Sequence, residues 1–394
     1  MNRCKVQEIA ELITKGTTPT TLGFSYIDEG INFVKIESID ANGKFDKTKF
    51  AHISEECHVS LKRSKLQKND ILFSIAGAIG RTAIVSEDIL PANTNQALAI
   101  IRLKKNNNDL NFIRYQLSSA SVIKQTEKQK QGVAQLNLSL KDIGNLEINV
   151  PSLPEQKKIA SHLDTIQSAI DNKKQQLQQL DELVKSKFVE MFGENPVESG
   201  KWKVEKLDTL VQVTSSKRIY AEEQTDSGIP FLRISDLVSR INGLEQAELY
   251  ISYEKYNEFG KKGWVPTKDD ILVTTRGTLG LCYIIREDDE FYFQDGMITW
   301  LKFDNHEKVL SVFICYLFAY VLSPKFNIKS NGATVKYLSI SDLKVEKIPV
   351  PPIELQNDFA AYVQKIDSAK SIIKTQLNDL NELLESKMDF YFGE

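Results

Sequence analysis

Several residues have types and spacings that suit chemistry. His52, Cys57 and His58 put two imidazoles and a thiol close together, the donor types of a soft metal centre. GAIGRT at 77–82 and RGTLG at 276–280 each follow a strand-like Asp-Ile-Leu run. Their glycines either let a phosphate approach the backbone or supply the positive φ of a turn. Arg81 and Arg276 either reach a phosphate or a guanine edge, or merely face solvent. Lys35 and Arg233 sit in the matching phrases FVKI and FLRI. A cation shared in this way suits phosphate contact, which carries no sequence information; the alternative is a solvated strand residue. Lys15, Lys62, Arg63, Lys65 and Lys68 form the densest basic stretch of the first half. Lys217, Arg218, Lys261 and Lys262, with Tyr220, Tyr256 and Trp264, are its counterpart in the second. Charge runs of this kind are either a phosphate-binding face or plain wet surface. Gln96, in the phrase TNQ, carries an amide that can pair with adenine or satisfy a backbone group in the core.

Other chemistries are missing from the sequence. There is no G-x-x-x-x-G-K-[ST] loop for a nucleotide, no G-x-S-x-G elbow and no H-E-x-x-H pair. VPPI at 350–353 has valine where an [N/D]-P-P-[Y/F] motif needs an amide or carboxylate. No catalytic residue is assigned. Cys4, Cys57, Cys282 and Cys315 are far apart and make no C-x-x-C, which suggests reduced thiols. The first residues, MNRCKVQEIAEL, do not read as a signal peptide. The apolar run VLSVFICYLFAYVL at 309–322 is too short to cross a bilayer and reads as a buried helix. A soluble, cytoplasmic protein is the expectation. Net charge is −3, with 20 Lys and Arg against 16 Asp and Glu in residues 1–148 and 4 against 8 in 349–394. Any nucleic-acid site must therefore be a local patch.

A long repeat must position these residues. LVKSKFVEMFGE at 183–194 returns as LLESKMDFYFGE at 383–394. Laid over 349–394 without a gap, 149–194 is identical at eighteen of forty-six positions. Upstream, 132–148 lies over 332–348, KNDILFSIAGAIGRTAIV over KDDILVTTRGTLGLCYII, and GINFVKI over GIPFLRI. The chain is a tandem duplication of a domain plus linker, too long in period for a solenoid. At the position matching His52, Cys57 and His58 the second copy has Tyr250, Lys255 and Tyr256, so a surface loop without metal is expected.

Within each copy, short apolar runs broken by Gly, Asn, Pro and Thr predict a β-rich α/β head. Residues 155–192 then hold no Gly or Pro. Their apolar seam runs Ile159, Leu163, Ile166, Ile170, Leu177, Leu180, Val184, and returns at Phe359, Val363, Ile366, Ile373, Leu377, Leu380, Leu384. This period of about 3.5 residues predicts a coiled-coil helix. Ser152 and Glu155 suggest a capping box at its start. A helix of ~38 residues is roughly 57 Å long. If the second seam is to cover the first, the two helices run antiparallel. The expected fold is α+β: β-rich globular heads at 1–148 and 196–348, in pseudo-twofold arrangement, and spacer helices at 149–195 and 349–394. Lys173 and Lys370 interrupt the seam, either to fix register or to snorkel at its edge.

This order of elements resembles the specificity subunit of type I restriction–modification systems over essentially the full length. The resemblance rests on Leu138-Ser139, Asp142-Ile143, Val150-Pro151, Pro154-Glu155-Gln156 and Ile159-Ala160. Leu338-Ser339, Asp342-Leu343, Ile348-Pro349-Val350-Pro351-Pro352 and Gln356 repeat the pattern, which departs at Glu354-Leu355 and Phe359. GTTP at 16–19, GAIG/GTLG and TNQ at 94–96 are further family-like phrases. The resemblance implies two target-recognition domains on double-stranded DNA, with the helices as a ruler that docks two methyltransferase subunits. Those partners would supply S-adenosylmethionine and flip an adenine out of the duplex. Translocase–nuclease subunits, with ATP and Mg2+, would be further partners. The chain itself would hold no cofactor and catalyse nothing. Two alternatives stay open: a coiled-coil scaffold whose heads bind other ligands, which the charge of −3 favours, and the recognition subunit of a restriction enzyme with a fused nuclease–methylase partner.

Overall fold

The computed structural model describes residues 3–105, 108–128, 137–245, 247–329 and 337–393. The chain divides into unit 1, Met1–Lys174 with Lys374–Glu394, and unit 2, Gln175–Ile373. Parts of the repeated segments, 132–136 and 332–336, lie outside the described residues.

Unit 1 is built on an antiparallel sheet in the order β2–β8–β5–β6. Its strands are β2 (Ala10–Lys15), β5 (Ile71–Ser74), β6 (Thr82–Ile84) and β8 (Leu98–Leu103). A second sheet, β4–β3–β7, joins β3 (Ile31–Val34) to β4 (Ala51–Ile53) and, in parallel, to β7 (Ala92–Thr94). β1 (Arg3–Lys5) pairs with β9 (Glu147–Asn149).

Unit 2 repeats the plan. β11 (Gln212–Thr214), β15 (Ile271–Thr274), β16 (Cys282–Ile284) and β18 (Ile298–Lys302) form a sheet in the order β11–β18–β15–β16. β12 (Gln224–Thr225), β13 (Ile229–Leu232), β14 (Tyr250–Ile251) and β17 (Tyr292–Phe293) form the second, in the order β12–β14–β13–β17. β10 (Lys203–Lys206) pairs with β19 (Lys347–Val350). The register is the same in both copies. Ile71 faces Ile84 and Ile101; Ile271 faces Ile284 and Leu301. β5 and β15 are buried along their whole length, so both read as unbroken apolar runs ending in a hydroxyl.

The glycine phrases are turns. Gly77 and Gly277 have φ of 70° and 72°, and Gly80 and Gly280 of 86° and 81°, between the paired strands. Asn69 and Asp269, just before those strands, both sit at φ 70°, a conformation that short polar side chains tolerate. The L-S-x-x-D phrase is a reciprocal helix cap. Ser139 Oγ accepts from the Asp142 N–H at 3.1 Å while Asp142 accepts from the Ser139 N–H at 2.8 Å; Ser339 and Asp342 do the same at 3.1 and 3.0 Å.

Two helices of 40 residues, Leu153–Phe192 and Ile353–Phe392, follow the heads. In unit 1 the front of the first meets the back of the second: Ile159, Leu163 and Phe392 share one core, and His162 Nδ1 is 3.0 Å from the Tyr391 hydroxyl. In unit 2 Phe188 and Phe192 lie against Phe359, at centroid distances of 5.6 and 5.4 Å, while Asp181 meets Lys370 at 2.6 Å. Numbers rise along one helix as they fall along the other, so the pair is antiparallel there. Lys370 does more than snorkel, because it crosses to the other helix; Lys173 is half-buried.

The seam is not uniformly buried. Ile159, Leu163, Ile170, Val184, Phe359 and Val363 are buried, whereas Ile166, Leu177, Leu180, Ile366, Ile373, Leu377, Leu380 and Leu384 are half-buried. Each helix of a two-stranded coil covers only one face of its neighbour, and Ile159, Leu163, Val184, Phe359 and Val363 gain extra cover from the core of their unit. The apolar run at 309–322 becomes helix Ser311–Leu317 and one wide π turn, Phe318–Leu322. Ser311–Ile328 has the length and hydropathy of a membrane span, but Phe313, Ile314, Leu317, Phe318 and Leu322 form the core of unit 2.

Candidate nucleic-acid interface

Arg218, Arg233 and Arg276 come together in unit 2 around a cleft of about 410 Å³, also lined by Gln224, Phe231 and Gln294. Each arrives from a different element. Arg218 lies on the loop after β11, Arg233 directly follows β13, and Arg276 lies on the turn after β15 that Gly277 permits. They differ in how far their charge is spent. Arg233 donates through Nε and Nη2 to Asp236 at 3.0 and 3.2 Å, and through Nη2 to Glu248 at 2.8 Å. These bonds, Asp236 first, push its guanidinium pKa further up and fix the side chain. Arg218 uses only Nε, donating to Asp295 Oδ2 at 2.9 Å, and its side chain is 64% exposed. Arg276 is exposed and, among the described residues, has no ion pair; its backbone bridges to Tyr337.

The other expected cations of unit 2 cluster on aromatics. Lys217 and Lys262 hold their ammonium groups 4.8 and 4.9 Å from the centre of the Trp264 ring, and Lys262 also pairs with Glu258 at 2.6 Å. Lys261 and Tyr220 are exposed.

Unit 1 spreads its expected residues more widely. Lys62 and Arg63 are exposed on a short turn. Lys65 is half-buried, its backbone bridged to Asn93, and Lys15 is half-buried opposite Ala99. Lys35 lies 4.3 Å above the Tyr26 ring, so it and Arg233 coincide in sequence but not in partner. Two expectations need correction. Arg81 is not a free surface cation: Nη1 donates to the carbonyls of Ile39 at 2.6 Å and Ile36 at 3.5 Å, tying the β5–β6 turn to the loop after β3. Gln96 serves no core backbone group: it is exposed, and Oε1 accepts a hydrogen bond from the Thr18 hydroxyl. The residues of the weighed metal cluster serve the fold. Cys57 is buried with Phe33, Ile53 and Leu61, His58 Nδ1 shares a hydrogen bond with Asn93 Oδ1, and His52 sits in β4 opposite Asn32.

The same two loops meet in each unit. In unit 1 the loop after β2 is tied to the β7–β8 loop by Thr17 N–H to the Thr94 carbonyl at 3.2 Å and by the Thr18–Gln96 bond. Gly16 is required here, since a Cβ would lie 2.0 Å from the Thr94 carbonyl oxygen. In unit 2 the loop after β11 is tied to the β17–β18 segment by Lys217 N–H to the Tyr292 hydroxyl at 2.7 Å and by Arg218–Asp295. Sequence reasoning missed Asp295 and gave Thr18 only as part of the phrase GTTP. Their signal was the repeat itself, which lays QDG at 294–296 over TNQ at 94–96.

Comparison with known proteins matches the same halves. The family model of the type I restriction modification DNA specificity domain matches twice, over residues 1–182 and 199–382. The EcoBI specificity subunit of Escherichia coli is 31% identical over 216 residues, covering 51% of this chain and 44% of that protein. The chain spans about half the length of the curated relatives that it matches at 30% identity or more. A putative type I specificity subunit, MjaX, of Methanocaldococcus jannaschii is 24% identical over 410 residues, covering 98% of this chain and 91% of that protein. The fold is shared with the S subunit of a type I restriction–modification system from M. genitalium, at 17% identity and a TM-score of 0.54, over 98% of this chain and 94% of that one.

Proposed function

We propose, from the premise that this chain belongs to the type I restriction–modification DNA specificity family, that it selects the DNA target of such a complex. Each unit reads one half of a bipartite, asymmetric site in duplex DNA. The observation that carries this reading is the double match of the family model, one copy to each half of the duplication. The three-arginine cleft of unit 2 supports it, because a local basic cleft is what a chain of net charge −3 needs to hold DNA. The divergence of Thr18 from Arg218 supports two unlike half-sites.

In this reading the long helices set the spacer and dock two methyltransferase subunits. Those partners hold S-adenosylmethionine, and translocase–nuclease subunits with ATP and Mg2+ join for restriction. The chain itself is non-catalytic and works in the cytoplasm. Methylome sequencing of the host with and without the gene tests this reading. One bipartite adenine motif should vanish on deletion, and an unchanged methylome refutes it.

A further inference from the structure

The loop tie found in both units has different chemistry in each. Thr18 and Arg218 occupy equivalent positions, and their partners Gln96 and Asp295 lie one step apart in the same loop of the repeat. Strand order and register around them are shared. A constant frame carrying a variable bridging pair is what sequence choice requires: the frame positions and the pair selects.

The pairs also leave the right groups free. Asp295 holds Arg218 by Nε alone, so the two terminal nitrogens remain as the parallel donors that guanine O6 and N7 accept. A carboxylate that fixes the guanidinium plane removes part of the ordering cost of docking, which a loose arginine meets in full. Arg233 has spent both Nε and Nη2 on carboxylates. Arg276 has no ion-pair partner among the described residues to aim it, which suits a tolerant phosphate contact. In unit 1 the Thr18 hydroxyl occupies one lone pair of Gln96 Oε1. The amide N–H2 and the second lone pair remain, the donor and acceptor that match adenine N7 and N6.

We propose that Arg218 buttressed by Asp295, and Gln96 buttressed by Thr18, are the specificity-determining residues of units 2 and 1, reading guanine and adenine from the major groove. Arg218 and Gln96 touch the base; Asp295 and Thr18 are positioning residues. The proposal rests on the DNA-specificity reading above.

The test uses the full chain in its methyltransferase complex. The methylated motif is determined for wild type, Arg218→Ala, Asp295→Asn and Gln96→Ala, with the melting temperature of each purified complex. Arg218→Ala should lower discrimination at one G·C position of one half-site by about ten- to hundred-fold and leave the other half-site intact. Asp295→Asn should relax the same position to a smaller extent, an effect that general loosening of the fold would not confine to one base pair. Gln96→Ala should relax one A·T position in the other half-site. A motif that the substitutions leave unchanged overturns the proposal. So does a uniform fall in methylation without relaxed sequence and with unchanged melting, which marks phosphate contacts. A wild-type complex with no motif overturns the DNA-specificity reading and this proposal together; a wild-type motif that survives the substitutions overturns this proposal alone.

Discussion

Gln356 accepts a hydrogen bond from the backbone N–H of Leu310 at 2.9 Å, and its own amide nitrogen donates to the carbonyls of Lys308 and Pro351, each at 2.9 Å. Gln156 stands in the same relation to Asp109 and Pro151. Both glutamines are buried in the first turn of a long helix, where they sew it to the residue just before a short helix, Leu110–Leu117 in unit 1 and Ser311–Leu317 in unit 2. This gives the P-x-x-x-x-Q phrase its physical role. Gln356→Leu should destabilise the chain by about 1–3 kcal/mol, because the half-buried Leu310 N–H loses its acceptor and the buried Pro351 carbonyl loses its donor. Denaturant unfolding of wild type and variant measures it.

The buried carboxylates Asp70 and Asp270 are satisfied differently, and their losses should differ. Arg102 grips Asp70 with Nε and Nη2 at 2.7 and 2.8 Å, and Asp70 is fully buried. Asp270 relies on the N–H groups of Thr267 and Phe303, at 2.8 and 2.9 Å. Arg102→Ala should therefore cost about 3–5 kcal/mol, the penalty of stranding a buried charge. Lys302→Ala, at the matching position, should leave Asp270 satisfied and cost far less. Thermal unfolding of the two variants decides it.

The Lys370–Asp181 pair crosses between the long helices at 2.6 Å, with the lysine 17% exposed and the aspartate 69% exposed. Exposure of the carboxylate limits the pair to about 0–1 kcal/mol. A double-mutant cycle with Lys370→Met and Asp181→Ala should return a coupling in that range, falling with added salt. A larger, salt-insensitive coupling would show that the pair is shielded.

Alkaline pH should unfold unit 2 through the phenols of buried Tyr292 and half-buried Tyr320. Burial pushes Tyr292 and Tyr320 each up to about 12, with Asp181 adding to the shift of Tyr320. In the unfolded chain both titrate near ~10. The folded state holds these protons more tightly, so the stability they contribute is complete below about pH 10 and is lost as pH rises toward 12. Phenolate absorbance from these two residues should therefore rise late and together with unfolding.

Exchange of residues 1–148 for the head of another such subunit should alter one half of the methylated motif and spare the other. A motif changed in both halves would show that the heads do not read separately. Methylome sequencing of the chimaera gives the answer.

Much of the fold was legible because duplication prints the same constraints twice. The turn glycines, the serine caps and the apolar seams, apart from Ile170 and Ile373, each appear at matching positions. Side-chain partners were not legible. Arg81 lies 42 residues from the carbonyl that holds it, and Arg218 lies 77 from Asp295. No local pattern announces such a pairing, so a committed arginine and a free one look alike in sequence. The seam period likewise revealed which residues face the partner helix, but not that eight of the fourteen would remain partly wet, since that depends on what else packs nearby.

Phe392, almost at the end of the chain, lies buried edge-on against Phe112 at 5.4 Å in unit 1. Order of synthesis therefore matters. The ribosome makes most of unit 1 first, yet that unit lacks its closing piece, residues 374–394, until all of unit 2 has been made. A stop codon at position 374 would leave unit 2 whole and strike the core of unit 1, the part made first.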